Sequence, residues 1–132
     1  MFTLTQIKDA HSTVKTGADF PAYIQMLIQI GVTGYSTFVA DGHTNYSGNG
    51  GYNISTDQKY PAMEIATNSN SEKYKHFLKI HQQGQTDYPT FCKHSAETGV
   101  EKWTVDMKAM TCSYYDLEEN VMLVENIPVH AK

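Results

Sequence analysis

Apolar positions recur along this chain at two periods, and the switch between them outlines the elements. Leu4, Ile7, His11 and Val14 stand at helical spacing behind a Thr3–Gln6 capping box, which predicts a first helix over about residues 4–16, ending near Gly17. Phe20, Tyr23, Ile24, Leu27 and Ile30 make a wider stripe, with Asp19 as N-cap, Pro21 in the first turn and Gly31 as the stop. Beyond Gly31 the period becomes two: Tyr35, Thr37 and Val39 share one face of a strand predicted over 32–40, and Ser36 and Phe38 the other. Asp41-Gly42 supplies left-handed turn residues for a hairpin; strands follow at about 44–47 and 51–55 around the loop 47–51, and a short one near 63–66.

The second half of the chain repeats this order. Ser69 with Glu72 opens a third helix carrying Tyr74, Phe77, Leu78 and His81 on one stripe and ending at Gly84. Asp87 and Pro89 then cap a fourth, with Tyr88, Phe91, Cys92, Ser95 and Ala96 facing inward and Gly99 closing it. Strands are expected at about 101–108, 110–116 and 120–127, the last two joined by a turn around 116–120.

Residues recur along with the order. At a constant offset of 68, Asp19, Pro21, Gly31, Val32 and Tyr46 meet identical residues, and Phe20, Tyr23 and Tyr35 meet Tyr88, Phe91 and Trp103. The matched positions are caps, first-turn prolines, helix-ending glycines and large aromatics, which physics constrains most. Gapless matching over 19–46 favours an internal duplication. The expected fold is therefore α+β: two sequence-related halves, about 1–67 and 68–132, each a helix pair followed by a small antiparallel sheet. Neither half can bury its apolar faces alone, so they are expected to share one core in a single domain over 1–132.

Composition narrows the function. The chain has 132 residues, a net charge of -4, and ten basic residues, every one of them lysine. Without arginine for bidentate grips on phosphate or guanine, nucleic acid is not an expected partner. No stretch approaches a membrane span and no basic-then-apolar leader opens the sequence, so a cytoplasmic protein without a membrane role is expected. In that compartment Cys92 and Cys112 are expected to be reduced, buried thiols.

Several strings in order carry a resemblance: Phe38-Val-Ala-Asp-Gly-His-Thr44 with Tyr46, His81-Gln-Gln-Gly84, Thr86-Asp-Tyr88 with Thr90-Phe-Cys92, Lys102-Trp103 with Asp106, Met110-Thr-Cys112, Tyr114-Tyr-Asp116 and Ile127-Pro128. Across almost the whole chain the sequence resembles the YdfO-like family, small bacterial and prophage-encoded proteins labelled "phage envelope protein" or domain of unknown function. The resemblance implies an α+β fold and a bacterial or prophage origin. It implies no reaction, cofactor or catalytic residue.

Candidate chemistry is therefore weighed residue by residue. Asp41 and His43 are the catalytic candidates: at the mouth of a hairpin a carboxylate can orient an imidazole for acid/base work, although Asp-Gly is also ordinary turn chemistry. The matching positions in the second half are Ala109 and Thr111, so the pair belongs to one copy alone. His81, Cys92 and His94 form a second cluster. Cys92 and His94, two apart on a helix, point to different sides, and His76 and His81 fail the spacing of a helical zinc pair. Neither a metal site nor a cofactor is expected.

Tyr35, Tyr46, Trp103 and Tyr114 are candidates to line a ligand cleft between the halves; filling the core is their alternative fate. The leading expectation is a non-catalytic binding or regulatory protein acting on a protein partner or as a homo-oligomer. A small enzyme or ligand-binding protein using Asp41 and His43 in a cleft, and a phage structural protein, are the alternatives.

Overall fold

The computed structural model describes residues 2–14 and 19–127. In chain order it contains α1 (Leu4–His11), α2 (Phe20–Gln29), β1 (Val32–Phe38), β2 (Thr44–Gly48), β3 (Asn53–Ser55), α3 (Ser71–Gln82), α4 (Tyr88–Glu97), β4 (Lys102–Asp106), β5 (Thr111–Tyr115) and β6 (Val121–Asn126). The class is α+β, the described residues forming four α-helices and one six-stranded antiparallel sheet in the order β3-β2-β1-β4-β5-β6. The two small sheets expected from the sequence are thus one sheet, joined where β1 pairs with β4.

Local chemistry accounts for the helices. The Thr3 hydroxyl accepts the Gln6 N–H at 3.2 Å while the Gln6 side chain accepts the Thr3 N–H at 2.8 Å, closing the capping box. The Asp87 carboxylate accepts the Thr90 N–H at 2.9 Å. Three expectations need correction. The first helix ends at His11 rather than near 16, and its expected stop at Gly17 lies outside the described residues. Ser12 and Thr13 account for the early end, because their hydroxyls turn back onto the Asp9 and Ala10 carbonyls. The third helix is capped by Asn70, not Ser69: the Asn70 side chain accepts the Lys73 N–H at 3.0 Å. Residues 63–66 form no strand. They strap the first hairpin to α4 instead, through Met63 N–H to the Ala40 carbonyl (2.7 Å) and Ala66 N–H to the Ala96 carbonyl (2.9 Å).

The helices cover one face of the sheet. Ile24, Leu27, Val39, Tyr74 and Val100 are fully buried between the layers. Along β1, Tyr35 and Thr37 point into this core while Ser36 and Phe38 point away, as the alternation predicts. Tyr88 is inward only in part: 46% of it is exposed at the start of α4, while its hydroxyl reaches the buried Cys92 thiol.

The sequence offset of 68 also runs through the backbone. α2 and α4 correspond residue for residue, and the left-handed residues Gly31, Gly42 and Gly51 are matched by Gly99, Met110 and Glu119, all with positive φ. Ser36 and Thr104, themselves matched, face each other across the β1–β4 seam with their hydroxyls 2.8 Å apart. The two halves therefore meet about this pair.

Candidate functional site

The β1–β2 connection runs over residues 39–43, longer than the 41–43 left between the expected strands, because β1 ends at Phe38. Phe38 N–H donates to the His43 carbonyl at 2.9 Å, Gly42 N–H donates to the Phe38 carbonyl at 2.8 Å, and Gly42 alone is left-handed (φ 77°). Tyr60 explains why glycine sits there: a Cβ on Gly42 would stand 2.6 Å from the Tyr60 ring. The Tyr60 hydroxyl donates to the Val39 carbonyl at 2.5 Å, and the Lys59 N–H to the Asp41 carbonyl at 2.8 Å, so the loop is buttressed from outside the hairpin. No sequence signal singled out Tyr60; its place depends on a contact between segments about 20 residues apart.

This frame brings Asp41 and His43 together. The Asp41 carboxylate accepts the His43 backbone N–H at 3.0 Å and lies 2.5 Å from ring Nδ1. The imidazole stacks flat on Phe38, with centroids 4.5 Å apart and planes 4° apart. The ring is therefore fixed in place and orientation, and a carboxylate partner at Nδ1 leaves Nε2 as the nitrogen free to exchange protons. Both side chains are about 30% exposed, so the pair stands at the surface.

The ring hydrogen bond from His43, first, and the backbone one, second, hold the Asp41 carboxyl below its ordinary range. The sign of the pH effect follows from that depression. Stabilisation by the pair is complete above the unfolded carboxyl value, about 3.9, and is lost as pH falls through the lower folded value. Replacing His43 with Ala is expected to return the Asp41 titration upward, read from its side-chain carboxyl carbon by NMR; an unmoved titration would contradict the contact.

The row continues over the open side of the sheet. The Lys102 ammonium lies 5.9 Å from the Phe38 ring centroid and 5.5 Å from that of Tyr115, and pairs with Glu119 at 3.0 Å. His43, Phe38, Lys102 and Tyr115 thus form one band drawn from both halves. Phe38, Lys102 and Tyr115 were not candidates from the sequence, because only the β1–β4 and β4–β5 registers bring them together.

The four aromatic candidates are core residues, each 6–9% exposed. Tyr35 packs on Tyr46 (5.4 Å between centroids) and Trp103 on Tyr114 (6.2 Å), so these contacts run within each half. Burial, the leading cause in each case, pushes the Tyr35, Tyr46 and Tyr114 hydroxyls above their ordinary range and keeps them neutral. The Tyr74 hydroxyl has no hydrogen-bond partner among the described residues, although Tyr74 lies wholly inside the core.

The second cluster does not assemble. His81 stacks on Phe91 at 4.3 Å and its Nδ1 donates to the Thr86 carbonyl at 3.0 Å, whereas His94 stacks on Phe77 at 3.8 Å. Cys92 lies buried against the Tyr60 and Tyr88 hydroxyls, and burial raises its thiol. Cys112 is buried on β5, and burial pushes its thiol up to about 12. Both cysteines are free and neither is poised as a thiolate. Among the described residues no group of three or more His, Cys, Asp or Glu side chains is placed to hold a metal ion, and no helix is long and apolar enough to cross a membrane.

Comparison with known proteins adds a family. The family described as "Protein of unknown function (DUF1398)" matches residues 8–126, nearly the whole chain. The uncharacterized protein YcgX of Escherichia coli (strain K12) is 25% identical over 65 residues, which cover 49% of this chain and 48% of that protein. The chain thus matches about half the length of this curated relative.

Proposed function

The chain belongs to the DUF1398 family, and we propose that it is a non-catalytic binding protein that engages a protein partner through the uncovered face of its sheet. The observation that carries this reading is the band of His43, Phe38, Lys102 and Tyr115, assembled from both halves on the side of the sheet away from the helices. Rings and one cation on a firm sheet form a surface suited to a protein partner. The aromatic candidates support the same reading, since they are spent on the core. Resemblance to YdfO-like proteins supports a bacterial, prophage-linked setting, and the repeated backbone supports descent from a duplicated half.

A photo-reactive residue in place of Ser113, beside this band on β5, tests the proposal in the host bacterium. The expected result is one discrete protein adduct, abolished by Lys102→Glu and absent when the probe replaces Lys79 on the exposed side of α3. Labelling from both positions alike, or from neither, would overturn it.

An acid/base enzyme is the second reading, favoured by the 2.5 Å contact between Asp41 and His43. It requires a substrate group beside Nε2, and turnover would fall together in His43→Asn and Asp41→Asn.

A further inference from the structure

One place breaks the correspondence between the two halves. Residues 63–70 strap the end of α4: Met63 N–H donates to the Ala40 carbonyl at 2.7 Å, and Ala66 and Asn70 N–H donate to the Ala96 and Thr98 carbonyls, both at 2.9 Å. Between the first two anchors Ile65 is buried, and beyond them Ser69 lies so close that a Cβ on Gly99 would stand 2.7 Å from its Cα. The offset of 68 carries this strapped groove to Lys108, Ile28, Ile30 and Gly31. The backbone beneath is the same in both places. Val39 N–H donates to the Glu101 carbonyl at 2.9 Å, and its counterpart Met107 N–H to the Thr33 carbonyl at 3.1 Å. Gly99 N–H donates to the Ala96 carbonyl at 3.2 Å, and Gly31 N–H to the Ile28 carbonyl at 3.1 Å. Yet among the described residues no segment crosses the end of α2 as the strap crosses α4. Two adjoining hollows of about 330 and 220 Å³ stand open there, the larger lined by Ile28, Val32, Met107 and Lys108, with Gly31 and Asn49 common to both. Phe2 closes only the far end, where a Cβ on Gly48 would stand 2.7 Å from its ring. Ile28 is left 37% exposed at the rim, whereas its strapped counterpart Ala96 is 3% exposed.

We propose that this groove takes an extended segment of a partner protein, laid on the end of α2 as the strap is laid on α4, with an aliphatic side chain in the place of Ile65. The strap shows what fits: an extended chain whose N–H groups meet helix-end carbonyls and whose inward side chain is apolar. Ile28, Val32 and Met107 offer an apolar lining to the same inward residue. Lys108 replaces Ala40 where the strap passes from Met63 to Glu64, which favours an acidic residue at that point of the guest. A second copy has no free strap to offer, because its own is held by the three backbone bonds. The groove lies at the end of α2, and the proposal is independent of the band on the open face of the sheet.

A capped synthetic peptide of residues 61–70 is the probe, titrated into the isotope-labelled full chain and followed by backbone amide NMR. The expected result is saturable shifts at Ile28, Gly31, Thr33 and Lys108, with Ala40, Ala96 and Gly99 unmoved. Ile65→Asp in the peptide should weaken binding by at least about tenfold, as loss of a buried aliphatic contact does. Ile28→Asp in the chain, at a side chain already exposed, should do the same, and the shift map of the unaltered chain stands without that variant. Shifts at Ala40, Ala96 and Gly99 instead would show exchange with the chain's own strap. Binding that appears only after residues 128–132 are removed would make the chain's own end the occupant. Either outcome, equal binding of the Ile65→Asp peptide, or no saturable shift by about 1 mM peptide would overturn the proposal.

Discussion

Truncating Trp103 to alanine is expected to lower unfolding stability by about 3–5 kcal/mol. Trp103 is the single tryptophan, enters the second half of the sheet four residues after Gly99, and is 9% exposed. Its ring lies 5.7 Å from Phe91 of α4 and 6.2 Å from Tyr114 of β5, so it wedges the helix layer against the sheet. The neighbours are themselves large rings held by further contacts, Phe91 by His81 and Tyr74, Tyr114 by Tyr74, and they cannot collapse readily into the space. A loss of that size is a large part of the roughly 5–15 kcal/mol available to a domain. Urea unfolding measures it: an unchanged midpoint would show that Trp103 serves as a surface anchor rather than as core.

Gly99→Ala is expected to cost about 2–5 kcal/mol, from left-handed strain of roughly 1–2 and overpacking of roughly 1–3 kcal/mol. Gly99 sits at φ 90°, and a Cβ there would stand 2.7 Å from the Ser69 Cα and 3.2 Å from its N. The colliding atoms are the Ser69 backbone and its Cβ, and no side-chain rotation moves any of them. The segment is also tied by the Asn70 N–H to the Thr98 carbonyl at 2.9 Å, and displacing Ser69 disturbs the cap of α3. Gly84→Ala is the control. Gly84 has φ 79° but open space around it, so only the strain of about 1–2 kcal/mol should appear. Equal midpoint shifts for the two variants would contradict the collision.

Much of the secondary structure was legible because its signals are local. Thr3 with Gln6, Asp87 with Thr90, and the glycines after α2, α3 and α4 act over three or four residues, within reach of sequence reading. Errors fell where distant segments compete for the same groups. Residues 63–66 alternate like a strand, yet their N–H groups are claimed by the Ala40 and Ala96 carbonyls. Tyr88 falls on the inward stripe of α4, but its position in the first turn leaves it partly outside the layer.

The candidate site divides in the same way. Asp41 and His43 are two residues apart, and their pairing is a property of one turn, open to sequence reasoning. Its partners Phe38, Lys102 and Tyr115 are separated by up to 77 positions and meet only through strand register, which no local signal specifies.

By itself the sequence determined the α+β class, the two helix-pair-then-strand segments and the offset of 68 that relates them, because periodicity, caps and left-handed turns are written in neighbouring residues. Tertiary structure alone decided that the two sets of strands fuse into one sheet at Ser36 and Thr104, which face of it stays open, and that β3 and β6 stand at the two ends of the strand order. Those outcomes depend on which strand pairs with which, and pairing is settled by burial of the tyrosine- and tryptophan-rich faces of both halves against a common helix layer.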